Sequence, residues 1–297
     1  MEIGFCGTGR MGAAMVERLL DGGHMLVVWN RSTDKLAPLA ARGAAVAATP
    51  RDVAARVDLV ITMLTDAAAL AAVYDGPDGL LAGAVAGKLF VDMSTLRPDA
   101  IRALAGRVGA KRAGLVECPV GGTVGPAREG KLLGFAGGAA ADFARAKPVL
   151  AELCRRVEHV GPNGAGASMK LAINLPLALY WEGLGEALSL CADAGIDAKL
   201  MLELFQDSSG GANALKTRAS KIMTAIEGGQ ADVGFDIDGM RKDVRSMIDE
   251  AAALGVELPL ATRVLDSYEA AATAGLGGQD ASSLSAWRFR QAKARRS

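Results

Sequence analysis

The sequence predicts a doubly wound α/β domain followed by an all-α domain. Up to about residue 160, short β-rich runs alternate with helical patterns of ten or so residues, the signature of βαβ units around a parallel sheet. After the turn-rich Gly161-Pro162-Asn163-Gly164 the β signal stops, and nearly everything to residue 292 reads as helix punctuated by glycines. The chain has 297 residues, 51% of them hydrophobic and 22% charged, which is enough to fill two globular cores.

The predicted strands are residues 3–6, 25–29, 59–64, 89–93, 115–118, 132–136 and 157–160. Several lack internal polar residues, as strands covered on both faces should. Ala- and Leu-rich segments between them, among them 11–20, 99–108 and 141–153, suit crossover helices. These observations set the domains at 1–163 and 164–297, the second opening with an interdomain helix over about 166–194. Pro176 falls inside that helix, where it removes a hydrogen bond and is expected to kink the helix or cost ~3 kcal/mol. Farther on, Met240, Val244, Met247, Ile248 and Ala251 recur at offsets 0, 4, 7, 8 and 11, which is one apolar face of an amphipathic helix.

Charge excludes some functions. Lys and Arg total 33 and Asp and Glu total 33, so the chain lacks the basic footprint that duplex nucleic acid or an anionic membrane surface requires. The exception is a basic tail, Arg288, Arg290, Lys293, Arg295 and Arg296, read as a solvated end. The longest apolar stretch, 171–181, contains Asn174 and Pro176 and is too short to span a bilayer. The opening Met-Glu-Ile-Gly-Phe has no basic region followed by an apolar one, so a cytoplasmic protein is expected. Cys6, Cys118, Cys154 and Cys191 are scattered without metal-ligand spacing and read as reduced, buried thiols; no metal site is predicted.

The first thirty residues point to a ligand. Gly7, Gly9 and Gly12 form Gly-x-Gly-x-x-Gly, with Thr8, Arg10 and Met11 between them, directly after one predicted strand and before one predicted helix. The first glycine makes a tight turn, the second admits a pyrophosphate to the backbone, and the third lets helix pack on strand; the helix N-terminus then faces the phosphates. This is the fingerprint of a dinucleotide-binding Rossmann domain. At the end of the second strand, where an NAD-preferring site has an Asp or Glu, stand Asn30 and Arg31. A guanidinium with Ser32 and Thr33 beside it suits a 2′-phosphate, which favours NADP(H) over NAD(H). Leu64-Thr65 and Ser94-Thr95 follow strands at their carboxyl ends, where ligands bind in open α/β sheets; either threonine also suits a helix N-cap.

Lys170 and Asn174 lie four apart on a predicted helix, so both side chains leave one face toward one small ligand. The apolar sequence around them, with the positive potential of a helix start near Gly166, suits a lysine of lowered proton affinity acting as general acid or base. Pro119-Val120-Gly121-Gly122-Thr123 suits a carboxylate cradle of backbone N–H groups. Lys242 lies two positions from Met240, off the apolar stripe, which is the geometry of a surface lysine. His24 and His159 have no evident partners and read as structural.

With the glycine loop, three segments resemble the β-hydroxyacid dehydrogenase family, which includes 3-hydroxyisobutyrate dehydrogenases, tartronate semialdehyde reductases and glyoxylate/succinic semialdehyde reductases. Glu117-Cys118-Pro119-Val120-Gly121-Gly122-Thr123 followed by Gly130-Lys131-Leu132 resembles its substrate loop Asp-Ala-Pro-Val-Ser-Gly-Gly…Gly-Thr-Leu, with Gly121 in place of the serine and Thr123 in place of the second glycine. Gly164-Ala165-Gly166 through Lys170 to Asn174 is similar to its catalytic Gly-x-Gly-x-x-x-Lys-x-x-x-Asn, and Phe235 through Lys242-Asp243 to its Phe-x6-Lys-Asp pair. The resemblance runs essentially end to end. It implies an NADP(H)-dependent oxidoreductase interconverting a small β-hydroxyacid and its semialdehyde or oxo acid in a cleft between domains, with Lys170 and Asn174 catalytic. It further implies that Gly121, Gly122 and Thr123 bind a carboxylate-bearing substrate, that Thr95 and Lys242 lie near the cofactor, and that the chain forms a homodimer or homotetramer. An imine reductase on the same scaffold is the alternative enzyme, which Lys170 speaks against because those relatives typically carry Asp or Tyr there. A 6-phosphogluconate dehydrogenase would be longer, and a catalytically silent dinucleotide sensor would not need both Lys170 and Asn174.

Overall fold

In the computed structural model, which describes residues 1–294, the chain forms two compact units, Met1–Leu171 and the remainder from Ala172. In the first, β1 (Glu2–Cys6) leads into α1 (Arg10–Asp21) and β2 (Met25–Trp29). The short α2 (Ala37–Ala41) and β3 (Ala45–Val46) follow, then α3 (Pro50–Arg56), β4 (Leu59–Thr62), α4 (Ala67–Asp75), β5 (Leu89–Asp92), α5 (Pro98–Ala110) and β6 (Gly114–Glu117). Then come β7 (Val120–Gly121), α6 (Val124–Arg128), β8 (Leu132–Gly138), α7 (Ala140–Leu153) and β9 (Cys154–Gly161).

All nine strands form one sheet in the order β3-β2-β1-β4-β5-β6-β8-β7, with β9 pairing β8. The first six are parallel in the 3-2-1-4-5-6 order of a Rossmann domain. Two features differ from the sequence prediction. β3 and β7, two residues each, carry no periodic signal, and β8 runs antiparallel to both β6 and β7, so the sheet is mixed. The chain reverses at α6, which joins β7 to β8 as an antiparallel pair.

Side-chain alternation explains why the central strands read as unbroken apolar runs. Phe5, Val28, Ile61, Val91 and Val116 join one core with Met15 and Leu19 of α1 and Leu150 of α7. Their neighbours Val27, Val60, Phe90 and Leu115 join a second core with Val53 of α3 and Leu104 of α5. The central parallel strands are thus buried on both faces, whereas the edge strands β3 and β9 are partly exposed. Cys6, Cys118 and Cys154 are buried in this unit without a disulfide, whereas Cys191 is only half-buried. Both histidines have partners: His24 Nε2 meets the Glu152 carboxylate at 2.9 Å, and His159 Nε2 meets Gly138 O at 2.8 Å while its ring stacks on Phe143.

The helical unit follows from α8 (Ala165–Leu190), α9 (Ala198–Asp207), α10 (Asn213–Lys216), α11 (Ala219–Ile226), α12 (Ile237–Ala253), α13 (Pro259–Ala271) and α14 (Ser283–Ala294). Asp236 caps α12 by accepting from Gly239 N at 2.8 Å, and that helix buries Met240, Val244, Met247 and Ala251, with Ile248 half-buried. Tyr268 OH donates to Ala178 O, tying α13 to α8. α8 continues unbroken through Pro176, so the expected kink does not interrupt the helix. The division between units lies inside α8, after Leu171, and not at the glycine-rich turn where the β character ends, because the first turn of this helix is bound to β6.

The basic tail is not uniformly solvated. Arg288 is half-buried, its Nε donating to Glu182 Oε1 at 2.7 Å and its Nη2 to Ser267 Oγ. The aliphatic part of the side chain is held on the helical core because Glu182, itself buried, needs a cation. Arg290 and Lys293 lie on α14, and Arg295 and Arg296 lie outside the described residues. No helix among the described residues is long and apolar enough to cross a membrane.

Candidate active site

Parallel register lines up Trp29, Cys6, Thr62, Asp92 and Glu117 as Cα partners at the carboxyl edge of the sheet. The loops that follow these strands therefore emerge side by side, and backbone bonds bind them together: Gly7 N to Trp29 O, Met63 N to Cys6 O, Met93 N to Thr62 O and Cys118 N to Asp92 O. In one unit this edge gathers the glycine loop, Asn30 to Ser32, Leu64-Thr65, Thr95 and the loop through Gly121, Gly122 and Thr123.

The glycine loop has the shape its sequence asks for. Gly7 has φ +100°, where a side chain would also strike Met63 O at 2.3 Å. A Cβ on Gly12 would lie 1.9 Å from Gly7 O, so helix and turn meet without room for a methyl group. A Cβ on Gly9 would meet nothing within 4 Å: here the turn faces open space. Gly9 caps α1 without a side-chain bond and no acidic residue sits in the first turn, so the helix presents its positive end at this turn. Thr8 Oγ1 is buried and has no hydrogen-bond partner among the described residues. These features fit a dinucleotide pyrophosphate.

Asn30 is occupied with the protein itself. Its Oδ1 accepts from Thr8 N at 3.0 Å and its Nδ2 donates to Ser32 O at 2.9 Å, so it splints the glycine loop to the end of β2. Arg31 is exposed beyond it, and Ser32 begins a 3₁₀ turn without bonding to it through its side chain. Neither Thr65 nor Thr95 is a helix cap. Asp66 caps α4, accepting from Ala69 N at 2.8 Å and from Thr65 Oγ1, while α5 begins after Arg97. Leu64 is fixed instead by its N–H, which donates to Ser94 Oγ at 2.8 Å. That hydroxyl donates to the buried Asp92, which also accepts from Thr62 Oγ1; Tyr74 OH completes the chain. Burial pushes the Asp92 carboxyl up to about 6 against the opposing hydrogen bonds from Thr62 and Ser94.

Lys170 and Asn174 are both buried on α8, one turn apart, at 8% and 6% exposure. Of their sequence neighbours, Leu171 is buried, whereas Met169 and Ile173 are exposed. The start of α8 is not the bare positive end that the sequence suggests: the Glu117 carboxylate sits there, accepting from Gly164 N, from Gly166 N at 3.0 Å and from Ala167 N at 3.2 Å. When ionised, this carboxylate offsets the helix dipole below Lys170. Burial raises the Glu117 carboxyl to about 7, opposed by those three backbone bonds.

In the helical unit Asp243, 1% exposed, accepts from Asn174 Nδ2 at 2.9 Å and pairs with Lys242 Nζ at 2.9 Å. Lys242 is accordingly half-buried and not the free surface lysine its periodicity describes. Asp243 and Glu117 lie in the segments singled out by motif, but their partners are 69 and 47 to 50 residues away, so no local pattern reveals these bonds. Asp243→Ala is expected to lower stability by about 1–3 kcal/mol in chemical denaturation, the range for a buried hydrogen-bond partner left unsatisfied, because half-exposed Lys242 can rehydrate. Asp243→Asn should recover part of that loss by again giving Asn174 an acceptor.

The same architecture appears in known proteins. Residues 2–161 match the family model described as the NAD binding domain of 6-phosphogluconate dehydrogenase, and residues 164–287 the model described as NAD-binding of NADP-dependent 3-hydroxyisobutyrate dehydrogenase. The chain is 35% identical over 289 residues to 3-hydroxyisobutyrate dehydrogenase of Pseudomonas aeruginosa, covering 95% of this chain and 97% of that one. It belongs to the β-hydroxyacid dehydrogenase family. It is also 31% identical to 2-(hydroxymethyl)glutarate dehydrogenase of Eubacterium barkeri, over 96% of this chain and 93% of the relative. A crystal structure described as 3-hydroxyisobutyrate dehydrogenase from Salmonella typhimurium superposes with a TM-score of 0.85 at 27% identity, over 96% of this chain and 99% of that one. As a member of this family, the chain is an NAD(P)-dependent oxidoreductase acting on CH–OH donors.

Proposed function

We propose that this protein is an NADP(H)-dependent oxidoreductase that interconverts a small β-hydroxyacid and its semialdehyde or oxo acid, with Lys170 as general acid and base. The observation that carries this reading is a lysine only 8% exposed, one helical turn from an equally buried asparagine. Lysine is among the residues least often buried, and a general acid must be held where water does not compete for its proton. The bound cofactor supplies the hydride in reduction and takes it up in oxidation. In reduction Lys170 gives a proton to the substrate carbonyl oxygen; in oxidation it removes the hydroxyl proton. Asn174 orients the same oxygen, its carboxamide held by Asp243. The backbone N–H groups of Gly121, Gly122 and Thr123 hold the substrate carboxylate; Gly122 is exposed with φ +125°, a conformation that turns successive N–H groups toward one side.

On the cofactor side, Gly7, Thr8, Gly9, Arg10, Met11 and Gly12 hold the pyrophosphate and Arg31 with Ser32 the 2′-phosphate. Leu64, Thr65 and Thr95 contact the remainder, and Asn30 shapes the loop. Arg31 is exposed and no carboxylate stands at the end of β2 to repel a phosphate, which supports NADP(H). Arg31→Ala is expected to weaken NADPH binding on the order of 10- to 100-fold, the loss of one or two charge-assisted hydrogen bonds, with NADH binding nearly unchanged. Fluorescence titration of both nucleotides checks it, and equal losses would remove the 2′-phosphate assignment. The activity is tested by mixing the protein and NADPH with glyoxylate, succinic semialdehyde, tartronate semialdehyde and methylmalonate semialdehyde. The corresponding hydroxyacids with NADP+ test the reverse direction. No turnover on any of them, with tight nucleotide binding, would leave a binding protein in place of an enzyme.

A further inference from the structure

Glu117 ends β6, the strand that runs into the loop bearing Gly121 and Gly122, and its carboxylate is fully buried. It takes three N–H donors from the first turn of α8 and the residue before it, Gly164, Gly166 and Ala167. Lys170 is the next turn of the same helix. A single side chain thus joins the strand of the substrate loop to the helix of the proposed acid and base, all within the Met1–Leu171 unit.

The surroundings are shaped for this contact. A Cβ on Gly137 would lie 2.3 Å from Glu117 Oε1, and one on Gly166 would lie 2.2 Å from Phe135 O and 3.3 Å from Glu117 Cδ. Only glycine at both positions lets the carboxylate reach the helix and the helix rest against β8. Two N–H groups converge on Oε1 and one on Oε2, which fixes the helix start in rotation as well as in distance. The alternative, a side chain that merely caps a helix, is normally met by the N-cap residue itself, next to the turn; here the acceptor comes from another strand.

We propose that Glu117 is a positioning residue of this active site, setting the place of Lys170 relative to the substrate loop through the first turn of α8. This rests on the reading of Lys170 as acid and base. Displacing a proton donor by about 1 Å is enough for a loss on the order of 100-fold in rate.

The test compares Glu117→Gln, Glu117→Asp and Lys170→Ala with the unaltered protein. Amide hydrogen exchange of the peptide covering residues 164–171 is followed beside NADPH affinity, kcat and KM on the fastest substrate of the panel above. Glu117→Gln is expected to speed exchange in that peptide at least tenfold, with the glycine-loop peptide unchanged. It should lower kcat on the order of 10- to 100-fold while NADPH affinity stays within twofold. Glu117→Asp, which keeps the charge, should recover part of the kcat. Unchanged exchange in 164–171 overturns the proposal without reference to activity. Faster exchange with unaltered kcat also overturns it, as does a fall in NADPH affinity as large as the fall in kcat. Full activity of Lys170→Ala would instead remove the acid and base reading, and the positioning role with it.

Discussion

Lys170→Ala is expected to lower kcat by 10²- to 10⁴-fold, the span that positioned general acid and base groups contribute, while NADPH binds within about twofold of its original strength. The separation of the two effects follows from where the residues lie. The pyrophosphate cradle is the turn after β1, where Gly9 faces open space at the positive end of α1, whereas Lys170 is on α8. Truncation removes the proton donor but no contact to the nucleotide phosphates. The folded state should hold, because alanine is a strong helix former on a continuing helix. Stopped-flow or steady-state rates over pH 6 to 10 give a second check: a basic limb present in the unaltered enzyme and absent in Lys170→Ala identifies the lysine as the titrating group. A variant that keeps its rate would mean that protons pass through another group, and a variant that loses NADPH in proportion would make Lys170 a binding residue.

The glycine loop was legible because two independent signals coincide there, an apolar strand followed by a helical period and a spacing of glycines that the turn requires. The structure adds why: Gly7, Gly9 and Gly12 differ in what a methyl group would meet, backbone on one side and open space on the other. The central strands were equally legible, since residues buried alternately in two cores leave apolar runs whose polar members, Thr62, Asp92 and Glu117, fall at the strand ends. β3 and β7 were not, for two residues have no period. Nor was the antiparallel β8, because strand direction depends on the path of the connection and not on the strand's own composition. The motifs located Lys170 and Asn174, but Asp243, which holds Asn174, and Glu117, which holds the start of α8, act across long sequence gaps. The same limit explains Arg288, which reads as part of a charged tail until Glu182, 106 residues earlier, is seen beneath it. Local patterns report which face a residue is on; they do not report which carboxylate is waiting there.

The buried acids give the other large expectation, in stability. Asp92 and Glu117 are Cα partners on neighbouring strands, both fully buried, with carboxyls raised from 3.8 to about 6 and from 4.5 to about 7 chiefly by burial. Each therefore holds its proton more tightly in the folded chain than in the unfolded one. Between pH 4.5 and 7 the folded state binds more protons at Glu117, so raising the pH through this window destabilises the fold, the reverse of the behaviour of an ion-paired surface carboxylate. For Glu117 the rise from 4.5 to about 7 corresponds to a total on the order of 3 kcal/mol at 1.36 kcal/mol per unit. Asp92 adds a contribution of the same sign between about pH 4 and 6. Chemical denaturation at pH 4.5, 5.5, 6.5 and 7.5 isolates the effect, because Glu117→Gln cannot titrate: its stability relative to the unaltered protein should improve steadily with pH, whatever its offset at pH 4.5. Asp92→Asn should remove the lower part of the slope and leave the upper part. Parallel curves for Glu117→Gln and the unaltered protein would mean that the three backbone N–H groups of α8 outweigh burial and keep Glu117 ionised throughout. In that case the carboxylate would act as a permanent counter-charge to the helix and not as a group in balance near neutrality.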